Sequence, residues 1–98
     1  MINRIVRLSF HQENIDAFLT IFENSKELIA NFPGCQGLTL LQDAHHKNVF
    51  YTYSLWLAES DLENYRHSEL FQTTWAATKA LFDSKPMAFS TLVHQKVK

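Results

Sequence analysis

The chain has 98 residues, of which 46% are hydrophobic, 19% charged and 13% aromatic. That length suits one domain with one core, and the composition excludes an intrinsically disordered chain. Nine basic and ten acidic residues give a net charge of −1 without a basic stripe, which argues against nucleic acid or a membrane surface as a partner. The single cysteine, Cys35, excludes an internal disulfide.

The chain shows no repeat, linker or low-complexity stretch, so residues 1–98 are expected to form one domain. Arginines interrupt the N-terminal apolar residues, which is not typical of a signal peptide. No apolar run approaches the roughly 18 residues of a membrane span. We therefore expect a cytoplasmic protein.

Residues 2–10 alternate between apolar and polar, which predicts a strand whose apolar face also carries Arg4. Residues 13–31 repeat apolar side chains every three or four positions, which predicts an amphipathic helix. Pro33 and Gly34 follow and favour the end of that helix. Residues 36–42 and 49–57 read as two strands of a hairpin around a polar turn.

Ser60 and Glu63 have the spacing of a capping box, which predicts a short helix. Ser68 is the predicted cap of a second helix over residues 70–83, and residues 87–97 form the predicted last strand. The order β-α-β-β-α(α)-β predicts an α+β, ferredoxin-like fold with a four-stranded antiparallel sheet and helices on one face.

The third predicted strand carries bulky residues on both of its faces. Tyr51, Tyr53 and Leu55 lie on one face, and Phe50 and Trp56 lie on the other. A sheet with one face in water should alternate more cleanly with polar residues. The pattern therefore predicts a homodimer that buries the open sheet face.

Residues 55–71, from Leu-Trp-Leu-Ala-Glu-Ser to Ser-Glu-Leu-Phe, resemble the central signature of the antibiotic biosynthesis monooxygenase family. In that signature a strand ends in Trp or Tyr, and a capped short helix and a bend lead to an aromatic residue. Residues 31–35 resemble the Pro-Gly turn of the same family. The resemblance implies a dimeric α/β barrel with a pocket between sheet and helices. Some members oxidise polyketide phenols with molecular oxygen and no cofactor, others degrade haem, and others handle small signalling molecules.

The resemblance also implies which residues form the site. Haem-degrading members use an asparagine of the first strand, an aromatic residue of the short helix and a histidine of the last helix. Asn3 matches this asparagine in type, to within one residue of register, and Tyr65 stands at the position of the aromatic residue. Trp75 replaces the histidine, which weakens the haem interpretation. His67 approximately matches a catalytic histidine that other members place near the short helix.

These matches favour a cofactor-independent monooxygenase that acts on a small aromatic or polyketide-like phenol or hydroquinone, with no metal. In this interpretation Asn3 binds the substrate or a peroxide oxygen, His67 accepts a proton, and Arg66 or Arg7 favours the anion. The predicted aromatic walls of the substrate site are Trp56, Tyr65, Phe71 and Trp75.

Several alternatives stay open at this stage. The tryptophans and Phe71 are also compatible with a plain core, and His67 with a solvated helix bend. A non-catalytic binding protein for a small apolar ligand would have the same pattern, as would a haem protein with an unusual ligand. A metal site at His45 and His46 lacks further ligands at the usual spacing. An RNA recognition motif would need glycines that the third strand lacks.

Overall fold

The computed structural model describes all 98 residues and contains the predicted elements in the predicted order. The first half comprises β1 (Ile2–Ser9), a 3₁₀ turn (Gln12–Asn14), α1 (Ile15–Ala30), β2 (Cys35–Gln42) and β3 (Val49–Trp56). The second half comprises α2 (Glu59–Arg66), α3 (Glu69–Lys79) and β4 (Met87–Thr91).

The four strands form one antiparallel sheet in the order β2-β3-β1-β4. The central strand β1 pairs with β3 over its whole length, so that Arg4 lies opposite Ser54. On its other side β1 pairs with β4, where Arg4 lies opposite Ser90. This topology confirms the predicted α+β ferredoxin-like fold.

Three predicted boundaries were wrong. Helix α2 begins at Glu59 after Ala58, which offers no side-chain cap, so the capping box predicted at Ser60 does not form. Helix α3 ends at Lys79 rather than at residue 83, and β4 ends at Thr91 rather than at residue 97. The cap predicted at Ser68 is confirmed, since its hydroxyl accepts a hydrogen bond from the Phe71 amide at 3.1 Å.

The hydrophobic core lies between the sheet and the helices. Its buried centre consists of Leu8, Phe10, Phe18 and Phe50. Phe10 is fully buried and stacks on Phe18 with 4.4 Å between ring centroids. The residues of β1 that alternate with this face, beginning at Asn3, therefore point to the other side of the sheet.

A tight turn at Gly34 joins α1 to β2 and contacts the start of α2. Gly34 has a φ of +88°, which is accessible to glycine at little cost. Its carbonyl accepts a hydrogen bond from the Leu57 amide at 2.9 Å. A side chain at this position would collide with Asp61, so the turn holds β2 and α2 in close contact.

The face of the sheet away from the helices is left uncovered. In β4, Phe89 and Met87 lie on this face and are 52% and 47% exposed. Leu41 of β2 is 47% exposed. None of the helices combines the length and the apolar character needed to cross a bilayer.

Candidate functional site

A cavity of about 290 Å³ lies between the sheet and the helices, where the resemblance predicted a pocket. Every helix and every strand contributes to its wall. The lining residues are Arg4, Val6, Leu8, Phe18, Ile21, Phe22, Ser25, Ile29, Leu38, Thr52, Ser54, Leu62, Tyr65, Arg66, Phe71, Thr74, Trp75, Thr78, Pro86 and Ala88. Most of these side chains are apolar, so the cavity suits a small apolar or aromatic ligand.

Aromatic rings from α2 and α3 form one wall of the cavity. Phe71 and Trp75 lie one helical turn apart on α3, and their rings are nearly parallel at 11° with centroids 5.8 Å apart. Tyr65 meets Phe71 edge to face at 5.2 Å. The structure therefore brings together three of the four aromatic residues predicted for this wall.

Trp56, the fourth aromatic residue, does not line the cavity but packs against Tyr65, which does. It is fully buried, and its ring stacks on Tyr65 at 5.0 Å and 23°. The indole N–H donates to the Ser54 hydroxyl at 3.0 Å, which satisfies a polar group that burial would otherwise leave without a partner. Trp56 thus fixes the position of Tyr65.

Two arginines are the charged residues of the cavity wall. Arg4 projects from the helix-facing side of β1, and Arg66 is the last residue of α2. The Arg4 guanidinium donates to the Ser90 hydroxyl at 2.9 Å, whereas Arg66 pairs with Glu63 at 3.1 Å. Partial burial, and next the positive charge of Arg66, lower the pKa of Arg4, while Glu63 opposes the shift. The two cations therefore act on the same region of the cavity.

The cavity also presents hydroxyl groups. Thr52 and Ser54 come from β3, and Thr74 and Thr78 come from α3. Burial, together with the nearby Cys35, raises the pKa of Tyr65 to about 12. Tyr65 is thus a neutral phenol near pH 7, and its hydroxyl is chemically suited to donate a hydrogen bond rather than to act as a base.

Asn3 and Arg7, two residues predicted for the site, do not line this cavity. Both alternate with the core-facing residues of β1 and lie on the open face of the sheet. Asn3 is buried there, and its side-chain oxygen Oδ1 accepts a hydrogen bond from the Tyr53 hydroxyl at 2.8 Å. The residue next to Asn3, Arg4, takes the cavity position.

His67 lies outside the cavity as well. It follows the last residue of α2, is exposed, and is absent from the cavity wall. The predicted proton acceptor is therefore not in contact with a ligand bound there. The wall contains no histidine, cysteine or carboxylate, and Glu63, whose charge acts on Arg4, is paired with Arg66.

The turn around His45 and His46 is built on a carboxylate. Asp43 accepts hydrogen bonds from both histidine amides at 3.0 Å and from the Tyr51 hydroxyl at 2.9 Å. These donors, the His45 amide foremost, hold the pKa of Asp43 well below its usual range. No group of three or more potential metal ligands converges there or elsewhere in the structure.

The model of the family described as antibiotic biosynthesis monooxygenase matches residues 1–77. The chain belongs to the antibiotic biosynthesis monooxygenase family. No curated protein sequence is significantly similar to the chain.

Solved structures with low sequence identity share the fold. A crystal structure of an antibiotic biosynthesis monooxygenase aligns with a TM-score of 0.91 and 18% identity, over 97% of this chain and 100% of the other. SnoaB of Streptomyces nogalater, described as a cofactor-independent oxygenase, aligns with a TM-score of 0.86 and 18% identity, over 98% and 95%. A conserved protein of Methanosarcina mazei aligns with a TM-score of 0.88 and 14% identity, over 92% and 89%.

Haem, a ligand that the family resemblance also implies, is poorly matched by this cavity. Protein ligands to haem iron are usually histidine, cysteinate, methionine or tyrosinate. The wall contains none of the first three, and the high pKa of Tyr65 disfavours tyrosinate. Trp75 stands where the resemblance places the histidine ligand, and a tryptophan offers no comparable lone pair.

Proposed function

We propose that the protein is a cofactor-independent monooxygenase that oxidises a small aromatic or polyketide-like phenol or hydroquinone. The observation that carries this proposal is the combination of three aromatic side chains and two guanidinium groups in one cavity. Flat rings suit a polycyclic substrate, and the cations favour its phenolate or enolate. The likeness to SnoaB, a cofactor-independent oxygenase, supports the same conclusion.

Oxygen reacts with such a substrate once the substrate is an anion that can supply an electron. Recombination of the substrate radical with superoxide would give a peroxide, which loses water. For an anthrone-like substrate, a CH₂ group and O₂ then become a carbonyl group and H₂O. The protein's part would be to hold the anion in a dry site and to donate hydrogen bonds to the reacting oxygen atoms.

The residues of the cavity suggest how this part is divided. Arg4 and Arg66 lower the free energy of the substrate anion, so that a weak base or solvent suffices to remove the proton. Tyr65, a neutral phenol, donates a hydrogen bond to the substrate oxygen or to the peroxide. Phe71 and Trp75 stack on the rings.

Oxygen uptake with a panel of hydroquinones and anthrone-like phenols tests the proposal. Uptake should exceed autoxidation measured without protein. It should fall by about tenfold or more in Tyr65→Phe and in Arg4→Met, because each substitution removes a donor or charge near the developing anion. Arg7→Met and His67→Ala are matched controls outside the cavity and should retain the activity.

A non-catalytic ligand-binding protein of the same fold is the main alternative. The absence of a histidine or a free carboxylate from the cavity wall favours it. The protein would then bind an aromatic phenol without oxygen uptake above autoxidation. Binding without turnover across the panel would establish this alternative.

We also propose that two copies associate through their open sheet faces. Met87 and Phe89 of β4 and Leu41 of β2 lie on that face and are exposed. Exposed apolar patches of this kind are typical of interfaces, and the family resemblance implies a dimer. Light scattering should give about twice the chain mass, and Phe89→Glu should give a monomer. A monomeric wild-type protein at micromolar concentration would refute the proposal.

A further inference from the structure

We infer that the ligand of the cavity is an aromatic carboxylate, whose acid group lies between Arg4 and Arg66 and whose rings lie against Phe71 and Trp75. The inference rests on the proposed function only in using the same cavity. It adds a second recognition element, a permanent anionic group, to the oxidisable ring.

Positive charge is confined to one region of the cavity wall. Of the twenty residues in the wall, Arg4 and Arg66 are charged, and the others are apolar or carry at most a hydroxyl or indole group. A ligand that fills the cavity therefore meets positive charge in one region and apolar surface elsewhere. A complementary ligand has one anionic end and an apolar body.

The positive charge of this region is only partly compensated. Arg4 has a neutral hydrogen-bond partner, the Ser90 hydroxyl, at 2.9 Å. Glu63 supplies one negative charge through its bond to Arg66 at 3.1 Å. Two guanidinium groups and one carboxylate leave a formal surplus of one positive charge. Arg4 is partly shielded from water, so a ligand anion would relieve its repulsion with Arg66.

The size of this charge surplus indicates the chemical class of the anion. A surplus of one positive charge matches a carboxylate, which carries one negative charge, better than a phosphate monoester, which carries nearly two. Guanidinium groups are planar and bind carboxylates through paired hydrogen bonds. Arg66 is partly exposed, with 45% of its side chain accessible, so the carboxylate would lie where the cavity meets solvent.

The apolar part of the cavity is lined by aromatic rings of α3 and by short side chains of the sheet. Phe71 and Trp75 present nearly parallel rings, 11° apart, along α3. Val6 and Ala88 belong to the facing sheet, and both have short side chains. An aromatic ring system is the apolar body that such a lining complements, and its acid group would point toward the arginines.

Calorimetric titration with 2-naphthoate and with 2-naphthalenemethanol tests the inference, since the two probes share their rings and differ in charge. The wild-type protein should bind the carboxylate about tenfold more tightly or better, the gain expected for hydrogen bonds to a charged group. The preference should shrink in Arg4→Met and in Arg66→Met and disappear in the double variant. Methionine approximates the apolar stem of arginine without its guanidinium group, so the aromatic wall should still bind the neutral probe.

Two further variants separate charge recognition from general damage. Arg7→Met removes an arginine from the other face of β1 and should leave the preference unchanged. Arg4→Lys keeps the charge without the planar donor pair, so it should retain part of the preference for the carboxylate. Thermal unfolding of each variant shows whether it is folded.

Equal affinity of the wild-type protein for the two probes would overturn the inference, as would no binding of either. A preference that survives in the double variant would overturn it too. Tighter binding of 2-naphthyl phosphate than of 2-naphthoate would show that the anion class is wrong. A carboxylate preference without oxygen uptake would leave this inference standing and refute the oxygenase proposal. Oxygen uptake with neutral phenols alone would support the oxygenase proposal and refute this inference.

Discussion

Replacing Gly34 with alanine is expected to destabilise the fold by about 2–5 kcal/mol. Two costs add at this position. The φ of +88° lies in the left-handed region, which costs an L-residue about 1–2 kcal/mol. An added Cβ would also lie 2.3 Å from Cγ and 2.4 Å from Cβ of Asp61. Relieving such an overlap by shifting a helix end costs about 1–3 kcal/mol.

Urea unfolding followed by far-UV circular dichroism measures this loss. The midpoint should fall with little change in slope, because the surface exposed on unfolding is nearly the same. Gly37→Ala is the matched control. There the new Cβ would meet the end of the Leu55 side chain at 3.3 Å, and the backbone needs no positive φ. We expect that variant to stay within about 1 kcal/mol of the wild type.

A double-mutant cycle with Asp61→Gly separates the two costs. In that background the collision is removed, so Gly34→Ala should retain only the backbone cost of about 1–2 kcal/mol. If Gly34→Ala is no more destabilising than Gly37→Ala, the reasoning about this turn is refuted. An unchanged cost in the Asp61→Gly background would refute the part that concerns the collision.

Three further predictions concern single groups. Ser54→Ala should cost about 1–3 kcal/mol in urea unfolding, because it leaves the buried indole N–H of Trp56 without a partner; no loss would mean that the bond is dispensable. The pKa of Asp43 is depressed in the folded protein, the His45 amide being the main cause, so its contribution to stability is present above about pH 4 and declines as the pH falls below. Asp43→Asn should therefore flatten the acid limb of stability against pH, and an unaltered limb would contradict this. The pKa of Tyr65 is raised from 10.0 to about 12, chiefly by burial, so the stability it contributes declines as the pH rises through that interval. Ultraviolet titration near pH 10 should therefore give the same number of ionising tyrosines in the wild type and in Tyr65→Phe; one tyrosine more in the wild type would contradict this.

The alternation and the helical periods of the sequence were sufficient to predict the type and order of the elements, because each period is typical of one kind of element. Boundaries depended on tertiary contacts. Helix α3 stops at Lys79, and Phe82 instead pairs with Phe10 of the core. The cap at Ser68 was recoverable because its partner lies three residues away, whereas the start of α2 depends on the Gly34 turn, which is distant in sequence.

The site was predicted less well, and β1 shows why. The alternation of apolar residues already placed Arg4 on the core-facing side and Asn3 on the other. Assigning Asn3 to the site followed the residue type of the family and set aside the strand period. A one-residue shift in a strand reverses every side chain, so a loose motif cannot locate a site on a strand. On α2 and α3 the match was better, because Tyr65, Phe71 and Trp75 share one surface.

The two tryptophans give this protein a pair of optical probes with different surroundings. Trp56 is fully buried with its indole N–H bonded, so its emission should be blue-shifted and shielded from iodide. Trp75 borders the cavity and is only partly buried, so a bound ligand should change its emission. Tyr65 and Phe71 lie between them in unbroken ring contact. Comparison of Trp56→Phe with Trp75→Phe would therefore let one fluorescence spectrum report the folding of the chain and the occupancy of the cavity separately.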